Sequence, residues 1–178
     1  MQKDRLQKGS FGNIYRSRVT LGSLVFLFLL AVLIFPPVTR GFATPPGYND
    51  HDFQKLVIFL ETGDGDKTNG EKLNPNYKPE DPATWEGIEW IDKEGKVVKI
   101  INFNEKGLDG ELDISGCIWL FVIHVQGNRL TRLDAGDCSQ LYQLNCRNNL
   151  LQEINLVGCP DLQYIYCNDN HLTVLDLA

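Results

Sequence analysis

Apolar and polar positions in the C-terminal half of this chain repeat every 21 residues. Three segments align in register: LFVIHVQGNRLTRLDAGDCSQ from Leu120, LYQLNCRNNLLQEINLVGCPD from Leu141 and LQYIYCNDNHLTVLDLA from Leu162. Leucine opens each copy, aliphatic residues follow at Ile123, Leu144 and Ile165, then come Val125, Cys146 and Cys167. An asparagine recurs at Asn128, Asn149 and Asn170, and each copy closes with Leu130, Leu151, Leu172; Leu133, Ile154, Leu175; and Ala135, Leu156, Leu177. A fixed period of this size makes each copy one turn of a solenoid, which cannot bury its apolar face alone and is stable only when stacked. The alternation around Ile123 and Val125 predicts a short strand with those side chains inward. The asparagine fits a chain that turns out of a strand and leaves backbone groups unpaired, because a buried amide can satisfy donors and acceptors together.

An imperfect fourth copy precedes these three: Val98, Ile101, Phe103, Lys106, Leu108, Leu112, Ile114 and Cys117 fit if one residue is inserted around Gly110, with Lys106 where the asparagine belongs. The pattern L-x-x-L-x-C/V-x-x-N-x-L resembles the leucine-rich repeat, in its short bacterial form with cysteine replacing one leucine. That resemblance implies an α/β solenoid: a leucine-rich-repeat coil of short parallel β-strands with a turn-rich convex side, closed by an N-terminal helical cap. It also implies a protein-interaction scaffold, the commonest role of such repeats.

Upstream of the coil the pattern changes. Residues 44–49 read as a linker, and residues 50–97 as an N-terminal cap region with a polar loop. Asn49 or Asp50 can cap a helix whose Phe53, Leu56, Val57 and Leu60 share one face. The stretch GDGDKTNGEKLNPNYKPEDPAT is polar, and Trp85, Ile88 and Trp90 then bring aromatic mass to the start of the coil. The order W-x-G-I, then G-K-V-V-x-I, from Trp85 to Ile100 is similar to the N-terminal caps of leucine-rich-repeat proteins. Asp64, Asp66, Asn69 and Glu71 do not make a calcium loop, since position six would be Asn69 and position twelve Pro75, where an EF-hand needs Gly and Glu; a solvated loop is expected. Residues 98–178 then hold about four rungs. The last rung stops at Leu175, Asp176, Leu177 and Ala178 with no polar segment after it, so no C-terminal cap is expected. That predicts either a fragment of a longer repeat protein or self-association through the C-terminal edge.

Residues 1–43 have the layout of a targeting segment. Lys3, Arg5, Lys8, Arg16 and Arg18 precede an apolar run from Leu21 to Phe35, and Gly41-Phe42-Ala43 offers a cleavage site after Ala43. A signal peptide and an uncleaved anchor over residues 19–35 both fit, and either puts the rest outside the cytoplasmic membrane. The expected location is therefore secreted or cell-surface, or else single-pass and membrane-anchored.

Removing residues 1–43 takes six of the 17 Lys/Arg and one of the 23 Asp/Glu, leaving 11 basic and 22 acidic side chains and a net charge of −11. Such a domain is repelled by phosphate backbones, so nucleic acid is not an expected partner. The five cysteines divide into Cys146 and Cys167 on the strands and Cys117, Cys138 and Cys159 at 21-residue intervals elsewhere on the coil. Stacked, buried thiols acting as small hydrophobes are the expected state, although the spacing of adjacent rungs leaves disulfides open. His51, His124 and His171 have no sequence neighbour that suggests a nucleophile or metal partner. No catalytic motif occurs, and no enzyme activity, cofactor or metal site is expected.

A surface remains. If Ile123 and Val125 face inward, the outward positions of the concave sheet form columns across the rungs: Asn102, His124, Asn145 and Tyr166; Asn104, Gln126, Arg147 and Asn168; and Ile100, Val122, Gln143 and Tyr164. The polar and aromatic members, with Tyr and Arg as anchors, are the candidate binding residues: Asn102, Asn104, His124, Gln126, Gln143, Asn145, Arg147, Tyr164, Tyr166 and Asn168. The expectation is an exported binding module that recognises a protein or glycan partner non-covalently. The alternative is a structural or assembly segment, or the N-terminal part of a longer bacterial surface protein.

Overall fold

A computed structural model describes residues 41–63 and 65–177. The targeting-segment expectation for residues 1–40, including the apolar run 19–35, lies outside the described residues. Among the described residues no helix is long and apolar enough to cross a membrane.

The chain is a β-solenoid of about four turns whose strands run parallel from coil to coil. One wall is a five-stranded sheet ordered β1-β2-β4-β6-β8: β1 (Ile88–Lys93), β2 (Gly95–Asn102), β4 (Val122–His124), β6 (Gln143–Asn145) and β8 (Tyr164–Tyr166). The opposite side is expected to be turn-rich. It instead carries a second parallel sheet, β3 (Asp109–Asp113), β5 (Arg129–Asp134), β7 (Glu153–Asn155) and β9 (Val174–Asp176). Leu112, Leu133 and Ile154 alternate there with outward polar residues, which is strand periodicity. The pairing of β3 with β5 shifts register between Gly110 and Glu111, where Thr131 of β5 is skipped.

The two sheets enclose the leucine ladder. Leu120, Ile123, Val125, Leu130, Leu133, Ala135 and Cys138 of one coil, and Leu141, Leu144, Cys146, Leu151 and Ile154 of the next, are all fully buried. The asparagine ladder closes the turn between the walls. Asn128 donates to the carbonyls of Phe103 and Val125 and accepts the Lys106 and Leu108 amides through Oδ1. Asn149 donates to Val125 and Cys146 and accepts Leu130; Asn170 donates to Cys146 and Cys167 and accepts Leu151. The Val125 and Cys146 carbonyls each receive two successive asparagines, so the ladder is continuous. At Lys106 the backbone N–H is satisfied by Asn128 of the next coil, and the side chain reaches Glu86.

Two corners per coil need a left-handed backbone. The residue before the ladder position has positive φ in every coil (Glu105, Gly127, Asn148, Asp169), as does the residue before the recurring cysteine (Gly116, Asp137, Gly158). Asn, Asp and Gly tolerate this conformation at the least cost, and they hold six of the seven corners. A third repeated device follows the second sheet: Oδ1 of Asp113, Asp134 and Asn155 accepts the amide two residues on, from Ser115, Gly136 and Val157.

Helix α1 (Asp50–Leu60) forms where expected. The Asn49 side chain accepts the Asp52 amide as N-cap, and Phe53, Leu56, Val57 and Leu60 are buried with Phe59. Its aromatic residues dock on the start of the coil: Phe53 stacks on Trp85 at 5.0 Å and Phe59 on Phe103 at 6.0 Å. Phe42 also packs against this core, and its carbonyl accepts a bond from Gln54. β1, not anticipated as a strand, runs antiparallel to β2 and covers the outer edge of the first parallel strand. Because β2 starts at Gly95, the sheet crosses the boundary expected at residues 97 and 98.

The polar stretch is not a solvated loop throughout. It holds a short helix, α2 (Asn69–Leu73), with a Thr68–Glu71 capping box and a fully buried Asn69. The Asn69 amide donates to Phe59 O, Thr62 Oγ1 and Asp109 O, and its Oδ1 accepts the Asp109 amide. Asp109, itself buried, is held between Lys72 and Arg129. A T-x-x-E sequence at 68–71 was the available signal.

Candidate functional site

The outward face of the larger sheet is built by its register. Ile100, Val122, Gln143 and Tyr164 align, as do Asn102, His124, Asn145 and Tyr166. Backbone bonds from Glu105 to Gln126, Gly127 to Arg147 and Asn148 to Asn168 extend the stacking to the third column, Asn104, Gln126, Arg147 and Asn168. Every candidate residue therefore occupies the column its spacing predicted. Their availability differs.

Several of the amides are engaged with one another. Asn145 is only 9% exposed: its Nδ2 donates to Gln126 Oε1 and its Oδ1 accepts from Arg147 Nε. It serves as a support for its neighbours rather than as a contact group, a correction that follows from flanking side chains long enough to close over it. Asn104 Oδ1 accepts the Gln126 amide, Gln143 Nε2 lies 3.0 Å from His124 Nε2, and Asn168 bonds to Asp169. Asn102 stays exposed.

The aromatic residues are the exposed members. Tyr164 and Tyr166 are 44% and 38% exposed, and the Arg147 guanidinium lies 4.7 Å from the Tyr166 ring centroid, a cation–π distance. The structure adds a column that alternation missed. Phe121 stacks on Tyr142 with centroids 5.1 Å apart and planes 8° from parallel, and Tyr142 meets Tyr164 edge-on at 5.3 Å. Phe121 is 37% exposed, and the Lys99 ammonium sits 4.4 Å from its centroid. The signal was the 21-residue recurrence of aromatics at Phe121 and Tyr142. Strand alternation does not reach it, because Phe121 precedes β4 and positions 121 and 122 both lie off the core.

Three cations on the strand side have aromatic partners. Lys93 lies over Trp119 at 4.3 Å, beside Lys99 over Phe121 and Arg147 over Tyr166, so cations with aromatic partners collect on the strand side of an acidic protein. Burial and the neighbouring Lys93 hold the Lys99 ammonium below the usual lysine range. A cavity of about 550 Å³ borders this strip, lined by Asn49, Lys93, Glu94, Val97, Ile118 and Trp119; it contains no imidazole, thiol or hydroxyl nucleophile. The whole array can stack, donate hydrogen bonds and attract negative charge.

The cysteines are spaced along two walls. Cys117, Cys138 and Cys146 are buried, Cys159 and Cys167 half-buried, and all five are free thiols. Cys138 and Cys159 donate to Ile114 O and Ala135 O of the preceding coil. Burial pushes the Cys138 and Cys146 thiols up to about 12, so both stay protonated and unreactive at neutral pH.

His51 has partners that its sequence neighbours did not announce. Its Nε2 lies 2.8 Å from Ser115 O, and its ring stands with Asp52 and Cys117 in one cluster. Helix α1 brings the first two to the third across 64 intervening residues. Burial raises the Asp52 carboxyl above its ordinary value, and the Val98 N–H and the Cys117 thiol oppose that rise.

Compared with models of protein families, with curated proteins and with solved structures, the chain matches none.

Proposed function

We propose that this chain is an exported leucine-rich-repeat binding module, with α1, β1 and α2 as its N-terminal cap, that recognises a protein or glycan partner through the outward face of the larger sheet. One observation carries the reading: the rings of Phe121, Tyr142 and Tyr164 form a continuous strip with Lys99 over Phe121, beside the exposed Tyr166 with Arg147 over its ring. Rings and guanidinium groups on a rigid array are the residues that anchor interfaces, because they bury much area at little entropic cost. The cations favour a ligand that pairs an apolar surface with acidic groups.

The test is binding by the full chain to a glycan array and to proteins of the native cell surface. Arg147→Ala combined with Tyr166→Ala is expected to weaken the binding found by more than about 2 kcal/mol, the scale of a hot spot, while the melting midpoint moves little. Unchanged affinity in the double variant would remove this face from the mechanism.

A second reading is favoured by the last coil. Inward residues there lose burial: Leu175 and Leu177 are 42% and 57% exposed, while Leu133 and Ile154 at the positions matching Leu175, and Ala135 and Leu156 at those matching Leu177, are buried. An apolar face on the last described coil, beside β8 and β9, suits stacking on a further coil, as in an assembly role. Sedimentation equilibrium at micromolar concentration is expected to detect self-association that Leu175→Glu abolishes; a monomer at all concentrations would discard this second reading.

A further inference from the structure

We propose that His51, Asp52 and Cys117 form a binding site for a borderline divalent transition-metal ion, zinc foremost, at the junction of α1 and the first coil. The site is independent of the strand face.

One nitrogen, one carboxylate oxygen and one sulfur lie within 4.8 Å of one another. Zinc bonds of about 2.0–2.3 Å place tetrahedral ligands about 3.3–3.8 Å apart, and the exposed imidazole is the group that moves to close the difference.

Asp52 and Cys117 are held in place, and His51 has one ring nitrogen engaged. Asp52 is 4% exposed, and its Oδ2 accepts the Val98 amide at 2.9 Å, which fixes the carboxylate plane. Cys117 is fully buried behind the left-handed corner at Gly116. His51 Nε2 faces Ser115 O; a carbonyl only accepts, so Nε2 carries the proton and Nδ1 keeps its lone pair. Metal-bound histidines are held this way, with the second ring nitrogen donating to a backbone carbonyl. Gly116 completes the cradle: a Cβ there would stand 3.0 Å from His51 Nε2, so a larger residue would press on the ring.

The donor set selects the ion. Sulfur and imidazole exclude calcium and magnesium, which take oxygen ligands. A thiolate, an imidazole and a carboxylate suit zinc with a fourth position for water. Binding breaks the Cys117 S–H bond, sends that proton to solvent and forms a sulfur–metal bond. The resulting set of one dication, one thiolate, one carboxylate and a neutral imidazole has no net charge, as a largely buried place requires. The ion would tie α1 to the coil it covers.

Cobalt(II) is the probe, added to reduced, metal-free full-length chain. One equivalent is expected to produce a thiolate-to-cobalt charge-transfer band and visible d–d bands of a four-coordinate ion, with zinc displacing it and raising the melting midpoint. His51→Ala, at an exposed position, should weaken cobalt binding by about tenfold or more and shrink the zinc-dependent rise. Asp52→Asn keeps an acceptor for Val98 and should weaken binding similarly, and Cys117→Ser should remove the charge-transfer band, whereas Cys167→Ala should leave it intact. Absence of the band from the unaltered chain, or its survival in both His51→Ala and Cys117→Ser, would overturn the site.

Discussion

Asn149→Leu is expected to lower the folding stability of the chain by about 3 kcal/mol or more. Its Oδ1 is the acceptor for the buried Leu130 amide, and its Nδ2 bonds the Val125 and Cys146 carbonyls. An orphaned buried donor alone costs about 1–3 kcal/mol, and leucine also sets an apolar branch against backbone carbonyls. The Val125 carbonyl keeps Asn128 and the Cys146 carbonyl keeps Asn170, which limits the loss. Asn170→Leu, at a half-buried rung, should cost less because water can replace part of the lost bonding. Urea unfolding of the two variants decides it. A drop under about 1 kcal/mol for Asn149→Leu, or equal drops for both, would mean that the ladder follows the fold without supporting it.

The second large effect is expected at Leu144. Truncation to alanine should cost about 2–5 kcal/mol, the range for a fully buried leucine whose cavity is only partly refilled. Leu144 is fully buried between Ile123 and Ile165, its partners on the neighbouring strands. Leu175→Ala in the last coil should cost clearly less, since Leu175 is 42% exposed and less of it leaves water on folding. The same contrast separates core from face: Leu144→Ala should move the melting midpoint by far more than Arg147→Ala with Tyr166→Ala. Similar midpoint shifts in the two cases would mean that the inward and outward assignments are exchanged.

The order of these effects follows from the geometry of a solenoid. Each coil contacts only its neighbours, so a residue's contribution depends on having a coil on both sides. Leu144 and Asn149 have one on each side. The residues of the last described coil have one on a single side, which is why repetition in sequence does not give equal burial.

The 21-residue period by itself determined the coil, the inward leucine ladder, the asparagine bonding and the three outward columns, because stacking in register turns equal spacing into vertical neighbours. Local signals were sufficient for α1, where Asn49 and the spacing of Phe53, Leu56, Val57 and Leu60 describe one helix face. Three features were decided only by tertiary structure. Asn145 sits in an outward column yet is buried, because whether an outward side chain meets solvent depends on the length and direction of Gln126 and Arg147 beside it. Asn69 sits in a polar stretch yet is fully buried, because the Asp109 backbone, 40 residues later, offers a donor and an acceptor that the local sequence does not announce. His51 meets Asp52 and Cys117 because the apolar face of α1 docks on the first coil, and the polar edge of the helix is carried with it. Periodicity records what repeats along the chain; a contact made once, between a helix and a coil far apart in sequence, leaves no period and exists only after the apolar surfaces have closed.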